Sequence, residues 1–68
     1  MELKVNGKPV RIERDASLVH LLEKLELDAG TTGVAVAVNQ AVVPRGRWAE
    51  TPLGDGDTVE IIHAVQGG

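Results

Sequence analysis

The stretch that decides the fold is SLVHLLEKL, residues 17–25. Its four leucines follow the i, i+3, i+4, i+7 spacing that puts apolar side chains on one face of an α-helix. Ser17 is well suited to the N-cap, because its side-chain oxygen can accept a hydrogen bond from a first-turn N–H. The pattern predicts an amphipathic helix of two to three turns. We expect it to end at Asp28-Ala29-Gly30, with Gly30 as a left-handed C-terminal cap.

The residues before this helix have the pattern of a β-hairpin. Apolar and polar residues alternate on both sides of Asn6-Gly7, with the period of two that half-buries a strand. Asn-Gly favours a type I′ turn, because both residues tolerate a positive φ. Residues 2 to 13 are therefore predicted to form a hairpin. Pro9 lacks an N–H and should lie in a strand at the edge of the sheet.

A second hairpin is predicted after the helix. Residues 34–38 read Val-Ala-Val-Ala-Val, which puts valine on one face of a strand and alanine on the other. Asn39-Gln40 makes the turn, although Gln40 suits a left-handed conformation less well than glycine does. Residues 41–43 then form the second strand of this hairpin.

The rest of the chain is predicted to be an irregular loop followed by a last strand. Residues 44–57 contain Pro44, Pro52 and several glycines, and Asp55-Gly56-Asp57 reads as a turn. Residues 58–63 form the strand, whose adjacent isoleucines indicate a central position with apolar neighbours on both faces. The order hairpin, helix, hairpin, strand predicts an α+β domain in which a mixed sheet of about five strands packs on one helix.

Composition excludes several classes of function. The chain has 68 residues, which suffice for one domain, and no cysteine for disulfides, thiolate catalysis or thiolate-bound zinc. Its net charge is -3 with scattered basic residues, so nucleic acid is not an expected partner. No apolar run is long enough to span a membrane, and the N-terminus does not resemble a signal peptide. We expect a cytoplasmic protein with residues 1–68 as one domain.

The final Gly67-Gly68 is the strongest functional signal. Glycine lacks a Cβ, so these residues can thread a narrow channel and present the α-carboxylate to a partner's active site. A carboxylate is a poor electrophile until it is activated, for example as an acyl-adenylate. The sequence has no phosphate-binding glycine-rich loop, which predicts that this chain is the substrate of an enzyme. Ordering a flexible tail, residues 64–68, costs free energy, so a partner should also dock near the end of the last strand.

The two histidines are weaker candidates for a site. His20 lies off the leucine stripe of the helix and is predicted to be exposed to solvent. His63 closes the last strand and could donate a proton near the tail. The sequence offers it neither a serine or cysteine nucleophile nor a metal-ligand spacing, which favours a surface position.

The remaining candidate site residues each have a simple structural interpretation. Asp55 and Asp57 lack the full acidic loop of a calcium site. Arg45 and Arg47 could meet an acidic partner or a phosphate, but a solvated loop is the simpler interpretation. Trp48 is the single aromatic residue, and a domain this small is expected to bury it. We predict no catalytic residue, no metal site and no cofactor bound by this chain.

Several segments of the sequence, taken together, form a recognisable set. They are Val5-Asn6-Gly7, residues 18–25, residues 34–39, Val42-Val43-Pro44-Arg45 followed by Trp48, residues 53–61 and Gly67-Gly68. This set resembles the ThiS family, the ubiquitin-like β-grasp sulfur carriers of thiamine biosynthesis, over nearly the whole chain. One departure is Gln40, where the family often has glycine.

This resemblance implies a β-grasp fold and a carrier that is not itself an enzyme. The carboxylate of Gly68 would be adenylated by a ThiF-type enzyme that uses ATP and Mg²⁺, and then converted to a thiocarboxylate. Gly67 and Gln66 would lie in the partner's active-site channel. The sulfur would come from a donor such as a cysteine desulfurase relay and pass to thiazole synthase.

Three alternatives stay open at this point. The small subunit of molybdopterin synthase shares the chemistry but tends to be longer and richer in phenylalanine, which this chain lacks. A ubiquitin-like modifier would be conjugated to lysines. A non-covalent β-grasp binding module would not need its terminal glycine.

Overall fold

The computed structural model describes residues 1–27 and 33–63. In these ranges the chain forms two strands, an α-helix, two further strands, a 3₁₀ helix and a last strand. The elements are β1 (Glu2–Val5), β2 (Lys8–Arg11), α1 (Leu18–Lys24), β3 (Val34–Val38), β4 (Ala41–Val43), the 3₁₀ helix (Arg45–Glu50) and β5 (Thr58–His63).

The strands form one mixed sheet in the order β2-β1-β5-β3-β4. β1 and β5 run parallel, and the other neighbouring pairs are antiparallel. The central position predicted for the last strand is confirmed. Pro9 lies in β2, an edge strand that pairs with β1 alone. An edge strand tolerates a residue without a backbone N–H.

Both predicted hairpin turns form, and the first has the type I′ conformation that the sequence predicts. Asn6 and Gly7 have φ values of 50° and 84°, and Asn39 and Gln40 have values of 50° and 72°. Positive φ at both central residues is the signature of a type I′ turn, whose twist matches that of the flanking strands. Gln40 therefore adopts the left-handed conformation although it carries a Cβ.

One face of the sheet and one face of α1 enclose the core. The first three leucines of the helix are buried, and Leu25 packs against the core from its margin. Trp48 is only 2% exposed, which confirms that the single aromatic residue belongs to the core. The buried cluster consists of Leu3, Val5, Leu18, Leu21, Leu22, Val36, Trp48, Leu53, Val59 and Ile61.

The helix ends earlier than the sequence predicts. It stops at Lys24, and Glu26 adopts the left-handed conformation with a φ of 63°. The N–H of Glu26 donates to the carbonyl of Glu23 at 2.9 Å, and the N–H of Leu27 donates to that of Leu22 at 2.7 Å. This pair of bonds is a Schellman motif, with Leu27 partly buried against the core. The predicted end at residues 28–30 is therefore wrong, because Glu26 takes the capping role assigned to Gly30.

The predicted irregular loop contains a regular element. Residues 45–50 form a 3₁₀ helix, which carries Trp48 into the core. After it, the carbonyl of Thr51 accepts a hydrogen bond from the N–H of Leu18 at 2.9 Å. That contact ties the segment to the first turn of α1. The loop is ordered by these long-range contacts, which the local run of prolines and glycines does not reveal.

The adjacent isoleucines of β5 have different environments. Ile61 is buried in the core, whereas Ile62 is 58% exposed on the opposite face of the sheet. The expected apolar neighbours are present within the sheet on both faces, since Ile62 pairs with Ala35, but among residues 1–27 and 33–63 only the inner face is covered by the core. None of the helices in these ranges has the length and hydrophobicity that crossing a membrane requires.

Candidate functional site

The predicted site residues Gln66, Gly67 and Gly68 lie outside the described residues, as does the whole predicted tail, residues 64–68. The described chain leads up to them through His63, the last residue of β5. His63 is exposed, as predicted. The geometry around β5 therefore describes the part of the chain that immediately precedes the predicted site residues.

The side chain of Asn6 fixes β5 close to its end. Its Oδ1 accepts a hydrogen bond from the N–H of Ile61 at 2.8 Å, and its Nδ2 donates to the carbonyl of Ile61 at 3.3 Å. The parallel register pairs Val5 with Val59, at the end of β1. The Asn6 amide thus continues the pairing beyond β1 and satisfies backbone groups that β1 no longer reaches.

A second asparagine fixes the beginning of β5. The N–H of Asn39 donates to the carbonyl of Thr58 at 2.7 Å, and Oδ1 of Asn39 accepts from the N–H of Thr58 at 3.0 Å. Its Nδ2 donates to Oδ1 of Asp57 at 3.0 Å. The two hairpin turns therefore hold β5 from both sides, which gives the C-terminal segment a fixed starting point.

The outer face of the sheet carries apolar side chains beside the end of β5. Ala37 pairs with Val42 on one side and with Glu60 on the other, and Ala35 pairs with Ile62. Val42 is 74% exposed. Because side chains alternate along a strand, these residues share the face opposite the core. We refer to Ala35, Ala37, Val42, Glu60 and Ile62 as the apolar sheet patch.

The acidic turn before β5 has a structural role. Oδ1 of Asp55 accepts a hydrogen bond from the N–H of Glu2 at 2.8 Å, and Oδ2 of Asp57 accepts from the N–H of Gly54 at 2.7 Å. The carboxylates therefore close the turn and join it to β1. Within residues 1–27 and 33–63, no group of three or more acidic or histidine side chains is placed to hold a metal ion.

His20 is exposed, as predicted, but it also has a structural contact that the sequence analysis missed. Its Nδ1 accepts a hydrogen bond from the N–H of Ser17 at 2.9 Å. Ser17 is the N-cap, which confirms that prediction, and His20 stands at the third helical position, where glutamate or glutamine usually completes a capping box. The i, i+3 spacing of the two residues was the available signal.

The two arginines of the 3₁₀ helix are both exposed, as the solvated-loop interpretation predicts. The guanidinium of Arg45 lies 4.7 Å from the centre of the Trp48 ring, within the range of a cation–π contact. Nε1 of Trp48 donates to the carbonyl of Val43 at 2.9 Å. The hydrogen bond from Trp48 to Val43 anchors the 3₁₀ helix to β4, and the cation–π contact lies within the 3₁₀ helix.

The described surface also contains an open groove of about 420 Å³ between the residues that follow β2 and helix α1. His20, Glu23 and Lys24 line it from the helix, and the segment 12–16 lines it from the other side. Its charged side chains are exposed to solvent. The groove therefore brings together no buried polar group of the kind that binding sites use.

Comparisons with known proteins agree on one family. The ThiS family model matches residues 3–68. The sulfur carrier protein ThiS of Escherichia coli (strain K12) is 32% identical over 68 residues, which is the full length of both chains. The crystal structure of the thiamine biosynthesis protein ThiS from Geobacter metallireducens superposes with a TM-score of 0.83 at 34% identity, again over all of both chains.

A further similarity extends to a larger protein. A thiazole synthase of Magnetococcus marinus is 35% identical to this chain over 68 residues, which are 100% of this chain and 20% of that protein. The β-grasp fold expected from the sequence is confirmed by the sheet topology and by the ThiS structure. The chain belongs to the ThiS family.

Proposed function

We propose that this chain is a sulfur carrier of thiamine biosynthesis whose Gly68 carboxylate is adenylated and then converted to a thiocarboxylate. The observation that carries the proposal is the end-to-end similarity to the E. coli sulfur carrier, with 68 aligned residues in each chain. The family match runs to residue 68, so it includes the terminal glycine.

The first step activates the carboxylate. An oxygen of the Gly68 carboxylate attacks the α-phosphorus of ATP, a P–O bond forms, and pyrophosphate leaves. The product is a mixed anhydride with AMP as a good leaving group. A ThiF-type enzyme would bind ATP and Mg²⁺ for this step, since this sequence has no phosphate-binding loop of its own.

The second step installs the sulfur. Hydrosulfide attacks the acyl carbon, the C–S bond forms, and the bond from carbon to the AMP oxygen breaks. One proton is released, and the products are AMP and a thiocarboxylate at Gly68. Where a cysteine desulfurase relay delivers the sulfur as a persulfide, a thiol must reduce the resulting acyl disulfide to release the same thiocarboxylate.

The sequence of the tail fits this chemistry. Gly67 and Gly68 add no side chains at the reacting end, so they and Gln66 can pass through a channel too narrow for larger residues. The folded body then supplies recognition, which a tail of small residues cannot supply alone. A tail that carries the reacting group and a folded body that is recognised are what a carrier needs when partner enzymes act upon it.

Thiazole synthase is the proposed acceptor of the sulfur. This chain aligns over its full length with the thiazole synthases of Magnetococcus marinus and Paramagnetospirillum magneticum. The aligned stretch makes up 20% of each of those proteins. Joining a carrier to its acceptor in one polypeptide raises their effective concentration, which would favour transfer between them. The fusion supports the same pairing for the separate chain.

Intact mass spectrometry tests the proposal. The full chain is incubated with the ThiF-type enzyme of the same genome, Mg²⁺-ATP and sulfide, and the expected product has one oxygen exchanged for sulfur. Tandem fragmentation should assign the exchange to Gly68, and a chain lacking Gly68 is the control. An unchanged mass, under conditions where the enzyme modifies another ThiS protein, would contradict the proposal.

A further inference from the structure

The side chain of Asn6 takes the place of a peptide group of β1. The register of β1 with β5 ends at Val5 and Val59, and the N–H of Asn6 still donates to the carbonyl of Val59 at 2.9 Å. In a regular parallel ladder the next bonds would join Ile61 to the main chain that continues β1. The chain turns back at Asn6-Gly7 instead, and the Asn6 amide bonds both the N–H and the carbonyl of Ile61. One side chain therefore extends the ladder beyond the end of its own strand.

The end of β5 relies on this amide because backbone pairing holds it on one side only. The last three residues of β5 pair with β3, in a register that ends with His63 opposite Val34. On the other side, the register with β1 goes no further than Val59. Without the Asn6 amide, the backbone of these three residues would be paired through β3 alone within the described part of the chain.

The attachment of β5 bears on the proposed chemistry, because the reacting carboxylate follows this strand in the chain. Gly68 comes five residues after His63 and seven after Ile61. An enzyme that holds the folded body and the Gly68 carboxylate at the same time must order the chain between them. Each residue that is already fixed in the free protein is one that the enzyme does not have to order. A loosened strand end would add residues 61–63 to the segment that the enzyme has to place.

We propose that Asn6 is a positioning residue for adenylation, because its side-chain amide fixes the backbone of Ile61 and so limits the positions from which the chain continues to the Gly68 carboxylate. This inference rests on the proposed function, since the reaction it serves is the one at Gly68. Asn6 acts through Ile61 and does not touch the reacting atoms.

Asn39 provides a matched control for Asn6. It stands at the same position of the other hairpin turn, with the same φ of 50°, and its Oδ1 also accepts a hydrogen bond from β5, from the N–H of Thr58. Thr58 is the first residue of β5 and pairs with Lys4, so losing the Asn39 amide leaves the end of the strand held. Asn6→Gly and Asn39→Gly each remove one amide, and glycine tolerates the positive φ at both positions.

Single-turnover kinetics separates positioning from stability. The full-length chain is mixed with an excess of the ThiF-type enzyme and Mg²⁺-ATP, and the rate of adenylation is followed to saturating enzyme. A variant that merely unfolds more readily needs more enzyme for half of the maximal rate but reaches the same maximum. A variant that misplaces the reacting end binds but reacts slowly. We expect the maximal rate to fall at least about fivefold for Asn6→Gly and less than about twofold for Asn39→Gly.

Hydrogen exchange of the backbone amides tests the cause without the enzyme. Asn6→Gly should speed the exchange of the Ile61 N–H, which loses its acceptor, whereas Asn39→Gly should speed that of Thr58. Unchanged exchange at Ile61 in Asn6→Gly would contradict the inference. If Asn6→Gly does not fold, Asn6→Asp replaces it and should also lower the maximal rate. Aspartate tolerates the left-handed conformation, but its carboxylate cannot donate to the carbonyl of Ile61.

The kinetic outcomes separate this inference from the proposed function. If the unchanged chain is adenylated and Asn6→Gly reaches the same maximal rate, Asn6 serves stability alone, so the inference is wrong and the function stands. Equal losses in Asn6→Gly and Asn39→Gly would also overturn the inference, because the effect would not belong to the end of β5. If the enzyme adenylates another ThiS protein but not the unchanged chain, the proposed function fails and the positioning role fails with it.

Discussion

The side chain of Asn6 is hydrogen-bonded to both backbone polar groups of Ile61, 55 positions further along the chain. Asn6 also occupies the first central position of the turn between β1 and β2, with a φ of 50°. One residue therefore sets the turn of the first hairpin and secures β5 shortly before the C-terminal segment begins. The carrier function proposed above needs such a fixed base for its tail.

Replacing Asn6 by alanine should lower the free energy of unfolding by about 1–3 kcal/mol. The variant loses both hydrogen bonds to Ile61 and keeps a Cβ in the left-handed region, where alanine is disfavoured. Asn6→Gly also loses the bonds but relieves the backbone strain, so its stability should lie between the two. Urea denaturation measures all three chains. Equal stability of Asn6→Ala and the unchanged chain would mean that the bonds contribute nothing.

The left-handed conformation of Glu26 leads to a prediction of increased stability. Glycine has no Cβ penalty at a φ of 63°, so Glu26→Gly should raise the free energy of unfolding by about 0.5–1 kcal/mol. Glu23→Gly makes the same change inside α1 and should lower it by about 1 kcal/mol. Thermal and urea denaturation should give opposite signs for the two variants. A loss of stability in Glu26→Gly would mean that its side chain supports the helix end.

The sequence alone predicted the elements whose signals are local. Asn6-Gly7 lies in a turn of the predicted type, and Asn39-Gln40 lies in a turn at the predicted place, because asparagine readily adopts the left-handed conformation between two strands. The helix start at Ser17 was likewise predictable from its capping chemistry. The apolar stripe placed the leucines in the core, since helical periodicity determines which side chains share a face.

Features that depend on distant partners could not be predicted in the same way. The helix end at Glu26 includes the packing of Leu27 against the core, a tertiary contact that the local sequence does not show. The sequence shows Asn6 as a turn residue, but its bonds to Ile61 require the parallel pairing of β1 with β5. The exposure of Ile62 depends on which face of the sheet the helix covers. These features depend on tertiary packing, which hydrophobic periodicity and secondary-structure propensity do not determine.

The capping contact of His20 predicts a specific order of stability. His20→Ala removes the acceptor for the N–H of Ser17 and should cost about 0.5–1 kcal/mol. His20→Gln keeps a side-chain acceptor at the third helical position and should retain most of that stability. Denaturation midpoints of the two variants provide the measurement. If both variants lose the same amount, the imidazole contributes by packing and not by accepting the hydrogen bond.

The tail provides the prediction that bears most directly on function. Gly67→Val keeps the Gly68 carboxylate but adds a branched side chain next to it, so a narrow active-site channel should no longer admit the tail. We expect the rate of adenylation to fall at least about tenfold, and urea denaturation checks that the variant is folded. The control is Gly46→Val in the 3₁₀ helix, where an added Cβ meets no atom within 4 Å. Pyrophosphate release with the adenylating enzyme measures both chains, and equal rates would show that the enzyme does not enclose Gly67.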